Sequence, residues 1–195
     1  MRTIAPRTAL AIVATVALVM NYGCILSPDE GGGGGDNNTV QFKPLTDKEN
    51  VIYNLVLCYK AADFNHYNEL LHPDFTFHNQ KDPLNPGLDE QWNKAQDIQI
   101  TTNMFNSTRG QNPDPNWNLN KLELTITTAS WAPVDSIGGA PCDDCWQTTR
   151  EYYITAVTDG GDTYIGNDLS LFIVVPVTEG STKLYKLWRQ DDLPK

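Results

Sequence analysis

Basic side chains are scarce in this 195-residue chain: 14 Lys and Arg stand against 24 Asp and Glu, with three His, for a net charge of −10. The few cations are scattered, so no positive stripe can follow a phosphate backbone, and no nucleic-acid partner is expected. The same acidity argues against electrostatic docking on anionic lipid. Gly-rich phosphate loops, G-x-S-x-G elbows and H-E-x-x-H helices are missing, which leaves P-loop, serine-hydrolase and zincin chemistry without its residues. Cysteine is sparse too, with four in all. A zinc site built on Cys142 and Cys145 needs two further ligands, and no second C-x-x-C or H-x-x-x-H supplies them. No metal and no cofactor are expected. Long apolar runs are also lacking: Thr8 to Met20 is the longest, and its thirteen residues are too few to span a bilayer.

What is present begins with that run. Arg2 and Arg7 precede it, Cys24 follows it, and Gly31 to Gly35 lie beyond. The arrangement resembles a bacterial lipoprotein signal, with cleavage between Gly23 and Cys24 and lipid on Cys24. Asn21 and Tyr22 occupy positions where that pattern favours an aliphatic and a small residue; Gly23 and Cys24 fit it. An ordinary secretory signal or a plain N-terminal anchor are the other readings. No Ala-x-Ala-like site follows the run, which weighs against the first. The expectation is an exported protein held by lipid on a bacterial membrane, in the periplasm or at the cell surface. Residues 1–23 form the leader, 24–40 a flexible Gly-rich tether, and 41–195 one domain. Loss of Arg2 and Arg7 with the leader leaves 12 cationic against 24 acidic side chains, a charge of −12.

Outside a reducing cytosol, the close pair Cys142 and Cys145 reads first as a local disulfide and next as free thiols. The pair lies in Gly138-Gly139-Ala140-Pro141-Cys142-Asp143-Asp144-Cys145, which reads as a loop. Its two carboxylates oppose the low thiol pKa that redox chemistry needs. Cys58 falls in a helical pattern and reads as a small buried residue.

Thr46-Asp47-Lys48-Glu49 is a capping box, and Ile52, Leu55, Val56 and Tyr59 follow at helical spacing, with Val51, Cys58 and Ala62 widening the stripe. A short helix capped by Asp63 carries Phe64, Tyr67, Leu70 and Leu71 and stops at Pro73. Asp74 to His78 reads as a strand. Asp89 or a neighbour caps a third helix, with Trp92, Ala95, Ile98, Thr102 and Phe105 on one side. Beyond Asn118 the period becomes two: Leu122, Leu124 and Ile126 alternate with polar residues. Residues 150–158, 168–178 and 182–189 are three more strands, joined by turns at 159–162 and 179–181. Helices gathered ahead of antiparallel strands imply an α+β layer structure whose sheet can curl around the helices.

This order resembles the nuclear-transport-factor-2-like (SnoaL-like) superfamily, the cone-shaped α+β roll. The likeness rests on Glu49 to Leu55, Ala62-Asp63-Phe64, Tyr67 to Phe77 and the closing strand Lys183 to Leu193. It implies curved, mainly antiparallel strands under N-terminal helices, and a superfamily that mixes isomerases, cyclases and dehydratases with pure binding proteins. It also implies where isomerase residues would fall: the general base on Asn79 and the oxyanion-stabilising Tyr on Leu55. An amide cannot abstract the proton and an aliphatic chain cannot donate the hydrogen bond, so that chemistry is not expected. Tyr59, one turn beyond Leu55, shares its face.

His78, near a strand end, is the candidate acid/base for a cyclase- or dehydratase-type alternative. It requires His78 to point into a cavity beside a second polar group. Trp92, Phe105, Trp131, Tyr152, Phe172 and Trp188 are candidates to line an apolar pocket, and equally to be core. The expected function is a non-catalytic binding domain for a small apolar ligand or a protein partner. A homodimer is the third possibility.

Overall fold

A computed structural model describes residues 40–79, 91–112 and 114–193. The leader, all of the tether but its last residue, and the proposed cap Asp89 lie outside the described residues.

Helix α1 (Lys48–Ala61) is capped by Asp47 and not by Thr46; the Asp47 carboxylate accepts the Glu49 amide at 2.8 Å. Either residue type caps well, and here the Asp47 carboxylate is the group that reaches the second amide. Val51, Ile52, Leu55 and Cys58 are buried along it, as their spacing requires. Ala62 closes the helix in the left-handed region, φ 50°. Helix α2 (Phe64–Leu70) starts at Asp63, whose carboxylate accepts the His66 amide at 3.0 Å. Strand β1 (Leu71–His78) follows directly and runs through Pro73. Its parallel pairing with β7 (Thr182–Leu193) is irregular between Leu71 and Thr76, where proline offers no amide to the ladder.

Trp92 is not on the third helix. It sits in the three-residue strand β2 (Gln91–Asn93), opposite Phe77 of β1. Helix α3 (Lys94–Ser107) begins after it, with Asn93 and Gln96 forming a reciprocal capping box. Strands β3 (Leu119–Ile126), β4 (Ala132–Ile137), β5 (Ala140–Thr158) and β6 (Thr163–Glu179) complete the sheet with β7. Its order is β2-β1-β7-β6-β5-β3, with β4 also paired to β5. Only the β1–β7 pair among these is parallel.

Two features depart from the sequence expectation. Residues 132–137 are a strand, and the Cys142–Cys145 stretch belongs to β5 and not to a loop. Asp144 takes a left-handed φ of 66° there, which lets the strand turn locally while its pairing continues on both sides. The two cysteines form a disulfide pair with Cα atoms 5.8 Å apart.

The helices cover one face of the sheet: α1 lies over β3 and β7, α3 over β1. Between them Val51, Leu55, Leu70, Phe75, Phe105, Phe172 and Leu187 form the core. A bulge decides which residues of β7 face it. Val174 pairs with Leu187 but Ile173 pairs with Arg189, so Trp188 is the extra residue. Tyr185 and Leu187 point inward before the bulge; Gln190 and Asp192 take that face after it.

Gly166 of β6 stands opposite Ile154, and a Cβ there would lie 2.9 Å from Ile154 Cγ2. Gly166→Ala is therefore expected to destabilise the domain by about 1–3 kcal/mol in urea titration, because a β-branched neighbour cannot rotate away cheaply.

The segment before α1 is strapped to the helices. Asn54, buried on α1, brackets the backbone of one residue: its Oδ1 accepts Lys43 N–H at 2.9 Å and its Nδ2 donates to Lys43 O at 2.7 Å. Asn50 Nδ2 donates to Pro44 O, and Tyr185 N–H of β7 donates to Leu45 O. The Phe42 ring stacks on His66 at 3.7 Å.

Candidate functional site

Between the helices and the sheet lie two carboxylates, each almost fully buried. Asp97, in the first turns of α3, accepts from Tyr67 Oη of α2 at 2.7 Å and from Trp92 Nε1 of β2 at 3.2 Å. Asp192 of β7 accepts from Ser170 Oγ of β6 at 2.6 Å and from Tyr152 Oη of β5 at 3.1 Å. Gln190 Nε2 donates to Ser170 Oγ, extending the second group by one member. The β5–β6–β7 register explains the second constellation: Arg150, Ser170 and Asp192 are directly opposite one another, with Tyr152 next along β5.

Burial disfavours the charged carboxylate. It pushes Asp97 from 3.8 up to about 6, against the pull of the Tyr67 and Trp92 hydrogen bonds. Asp192 rises from 3.8 to about 6 for the same reason, opposed by Ser170 and Tyr152 and reinforced by Asp168 and Asp191. Tyr59 of α1 lies between the two groups. It shares a hydrogen bond with Thr101 of α3, and the charges of both Asp97 and Asp192 bear on its hydroxyl. Burial holds Tyr59, Tyr67 and Tyr152 above the ordinary phenol range. Rings frame the acids: Tyr59, Tyr67 and Phe105 meet edge to face at 5.4–6.2 Å, and Trp92 stacks on Phe77 at 4.4 Å.

His78 is elsewhere. Phe77 and Asp192 face the core, so their neighbours His78 and Asp191, paired in register, lie on the opposite side of the sheet. There Arg189 Nη2 donates to His78 Nδ1 at 3.2 Å, and Asp191 is 3.8 Å away. Burial first, and Arg189 second, keep the His78 pKa below its usual value. The cavity position required of a catalytic His78 is thus not the one it occupies.

The six aromatic candidates separate into several places. Phe105 and Phe172 are in the core, Trp92 packs against it, and Tyr152 adds its hydroxyl to Asp192. Trp131 belongs to another cluster: its Nε1 donates to Glu49 at 2.8 Å, beside Arg150. Trp188 occupies the β7 bulge. Leu55 and Asn79 keep the positions their number implies, one buried on α1 and one just past β1. Tyr67, Asp97, Ser170, Gln190 and Asp192 were not singled out by sequence reasoning. A groove of about 620 Å³ opens separately between β1 and the start of α3, lined by Pro73, Asp74, Thr76, Lys94 and Ile98 among others.

By sequence the chain matches no family profile and no curated protein. Solved structures do resemble it. A conserved protein from Planctomyces limnophilus superposes with a TM-score of 0.52 at 14% identity, over 75% of this chain and 94% of its own. The beta subunit of the benzoate 1,2-dioxygenase from Burkholderia mallei gives 0.51 at 10% identity, over 77% of this chain and 90% of its own. At such identities the likeness is one of architecture alone. The chain has the cone-shaped α+β roll of nuclear-transport-factor-2-like proteins.

Proposed function

We propose that this is a non-catalytic binding domain, carried on an exported protein anchored by lipid on Cys24, that takes a small ligand between α3 and the sheet. One observation carries the reading: two buried carboxylates and two buried tyrosines, with the partly buried Tyr59 beside them, gather among aromatic rings, where a purely structural core would hold aliphatic side chains. Carboxylate oxygens accept hydrogen bonds, so the ligand has a flat apolar body and one donor end, a hydroxyl or an amine. Native mass spectrometry of the full chain, followed by solvent extraction, tests this. A bound molecule of that kind, lost when Asp97→Asn and Asp192→Asn are combined, supports the reading. A chain that flies at its bare polypeptide mass, and whose Trp92 emission ignores aromatic alcohols and amines, overturns it. The anchor is tested apart, since Cys24→Ser should release the protein from membranes without detergent.

The protein-partner reading has its own support. Tyr153 and Ile165, each about two-fifths exposed, stand on the outer face of β5 and β6. A second copy of the chain is the partner we test, and a monomeric mass in sedimentation removes it.

A further inference from the structure

Asp97 and Asp192 are placed so that every layer of the fold touches one of them. Asp97 gathers α3, α2 and β2 through Tyr67 and Trp92. Asp192 gathers β7, β6 and β5 through Ser170 and Tyr152. Tyr59 brings α1 to both, and Thr101 of α3 hydrogen-bonds to Tyr59 and to Tyr67. The charged and titratable groups on the side of these acids are Tyr59 from α1, Tyr67 from α2, Tyr152 and Arg150 from β5 and Asp168 from β6, while Asp191 of β7 acts on Asp192 from the opposite face of the sheet. Arg150 is committed to Glu49 by two hydrogen bonds, and the charges that weigh most on Asp192 are the negative ones of Asp168 and Asp191.

We propose that Asp97 and Asp192 form a proton-operated latch, which holds the helices on the sheet while both carboxyls are protonated and loosens them when both lose their protons to solvent. In the protonated state each group is neutral and hydrogen-bonded, so the interior stays dry. Ionisation puts a negative charge on Asp192, which Asp168 and Asp191 already oppose, and another on Asp97, whose hydrogen-bond partners Tyr67 and Trp92 are neutral. With Arg150 held by Glu49, water is the remaining means of stabilising them. Helix α3 is the element set to move, because it rests mainly on β1, with lesser contacts to α2 and β2. Its departure opens the route between helix and sheet. The device needs no ligand, so it stands or falls apart from the binding function proposed above.

Both acids titrate near pH 6 when closed and near 3.8 when solvated. Between pH 5 and pH 7.5 the opening equilibrium of α3 is thus expected to rise about tenfold for each carboxyl, and towards a hundredfold for both. Amide hydrogen exchange of the full chain, corrected for the intrinsic pH dependence of exchange, reads this directly. The Asp97→Asn/Asp192→Asn chain should lose most of that rise. His72 and His78, whose pKa values burial lowers, remain in the double variant and account for whatever dependence is left. Equal α3 protection at the two pH values, or a double variant that keeps the wild-type dependence, overturns the latch. Should the double variant not fold, the carbonyl-carbon NMR titration of the wild type decides. Midpoints about 6 for both acids uphold the latch, and midpoints near 4 refute it.

Discussion

Arg150→Ala is expected to lower the unfolding free energy by about 3–5 kcal/mol. Arg150 is the largest side chain that the fold encloses completely. Its guanidinium donates to both oxygens of Glu49, at 2.9 and 2.6 Å, and its Nε donates to Thr148 Oγ1 at 3.2 Å. The Trp131 ring lies 5.2 Å from the guanidinium carbon, and Trp131 Nε1 donates to the same carboxylate. The cluster thereby clamps the first turn of α1 to β5 and to the connection between β3 and β4. The two partners are unequal, since the Glu49 side chain is about half exposed and the Arg150 side chain is 1% exposed. Glu49 can turn to water when abandoned, whereas Arg150 cannot. Glu49→Ala should therefore cost about 2–4 kcal/mol, more than Arg150→Met, which keeps the volume and removes the charge at about 1–2 kcal/mol. Urea titration of the three variants gives the order. A Glu49→Ala protein as stable as the wild type would show that the clamp does not depend on the carboxylate.

The second large effect is a stability that falls as pH rises through the mildly acidic range. Asp97 and Asp192 have folded-state pKa values raised from 3.8 to about 6. Below the unfolded value both states hold the proton and there is no penalty. The penalty grows between about 4 and 6, and is complete above. From pH 4 to pH 7.5 each group should remove about 2–2.5 kcal/mol, or about 5 kcal/mol together. Carboxylates with depressed values act in the other direction. Glu49 is lowered chiefly by its hydrogen bonds from Arg150, and Asp144 falls to about 2 under Lys183, Tyr185 and Trp146. Their contributions are present above the ordinary carboxylate range and are lost only as pH falls through their own low values. Maximal stability is thus expected near pH 4–5, with Asp97→Asn and Asp192→Asn each flattening the descent above it. A urea midpoint that holds level or climbs from pH 4.5 to 7.5 in the wild type contradicts the buried-acid account.

Much of the architecture could be read from local chemistry because that chemistry is local. The capped, apolar-striped α1, the alternation along β3 and the glycine turns at 160–161 and 180 each need only neighbouring residues to specify them. Strand β4 and the first half of β5 are different. Pro133 and Pro141 spell a loop, and the pairing of one strand with the other across the Gly138-Gly139 turn is what holds them extended. Trp92 matched the helical period by coincidence; the reciprocal cap of Asn93 and Gln96 starts the helix one residue after it. The acids were illegible for a topological reason. Asp97 and Asp192 are far apart in sequence, and Asp192 faces inward only because the Trp188 bulge exchanges the two faces of β7. A single extra residue, invisible to periodicity, therefore set what lies at the centre of the candidate site. Arg150 was equally hidden, since its partner Glu49 lies on α1, far away in sequence.

The strap ahead of α1 has a mechanical consequence. Tension on the chain before Phe42 reaches the domain along a row of contacts to Asn54, Asn50, His66 and Tyr185. The force then enters through the helices and one strand at the centre of the sheet, and the sheet edges β2, β3 and β4 carry none of it directly. A pull applied from that side would therefore load the strap before it loads the interior.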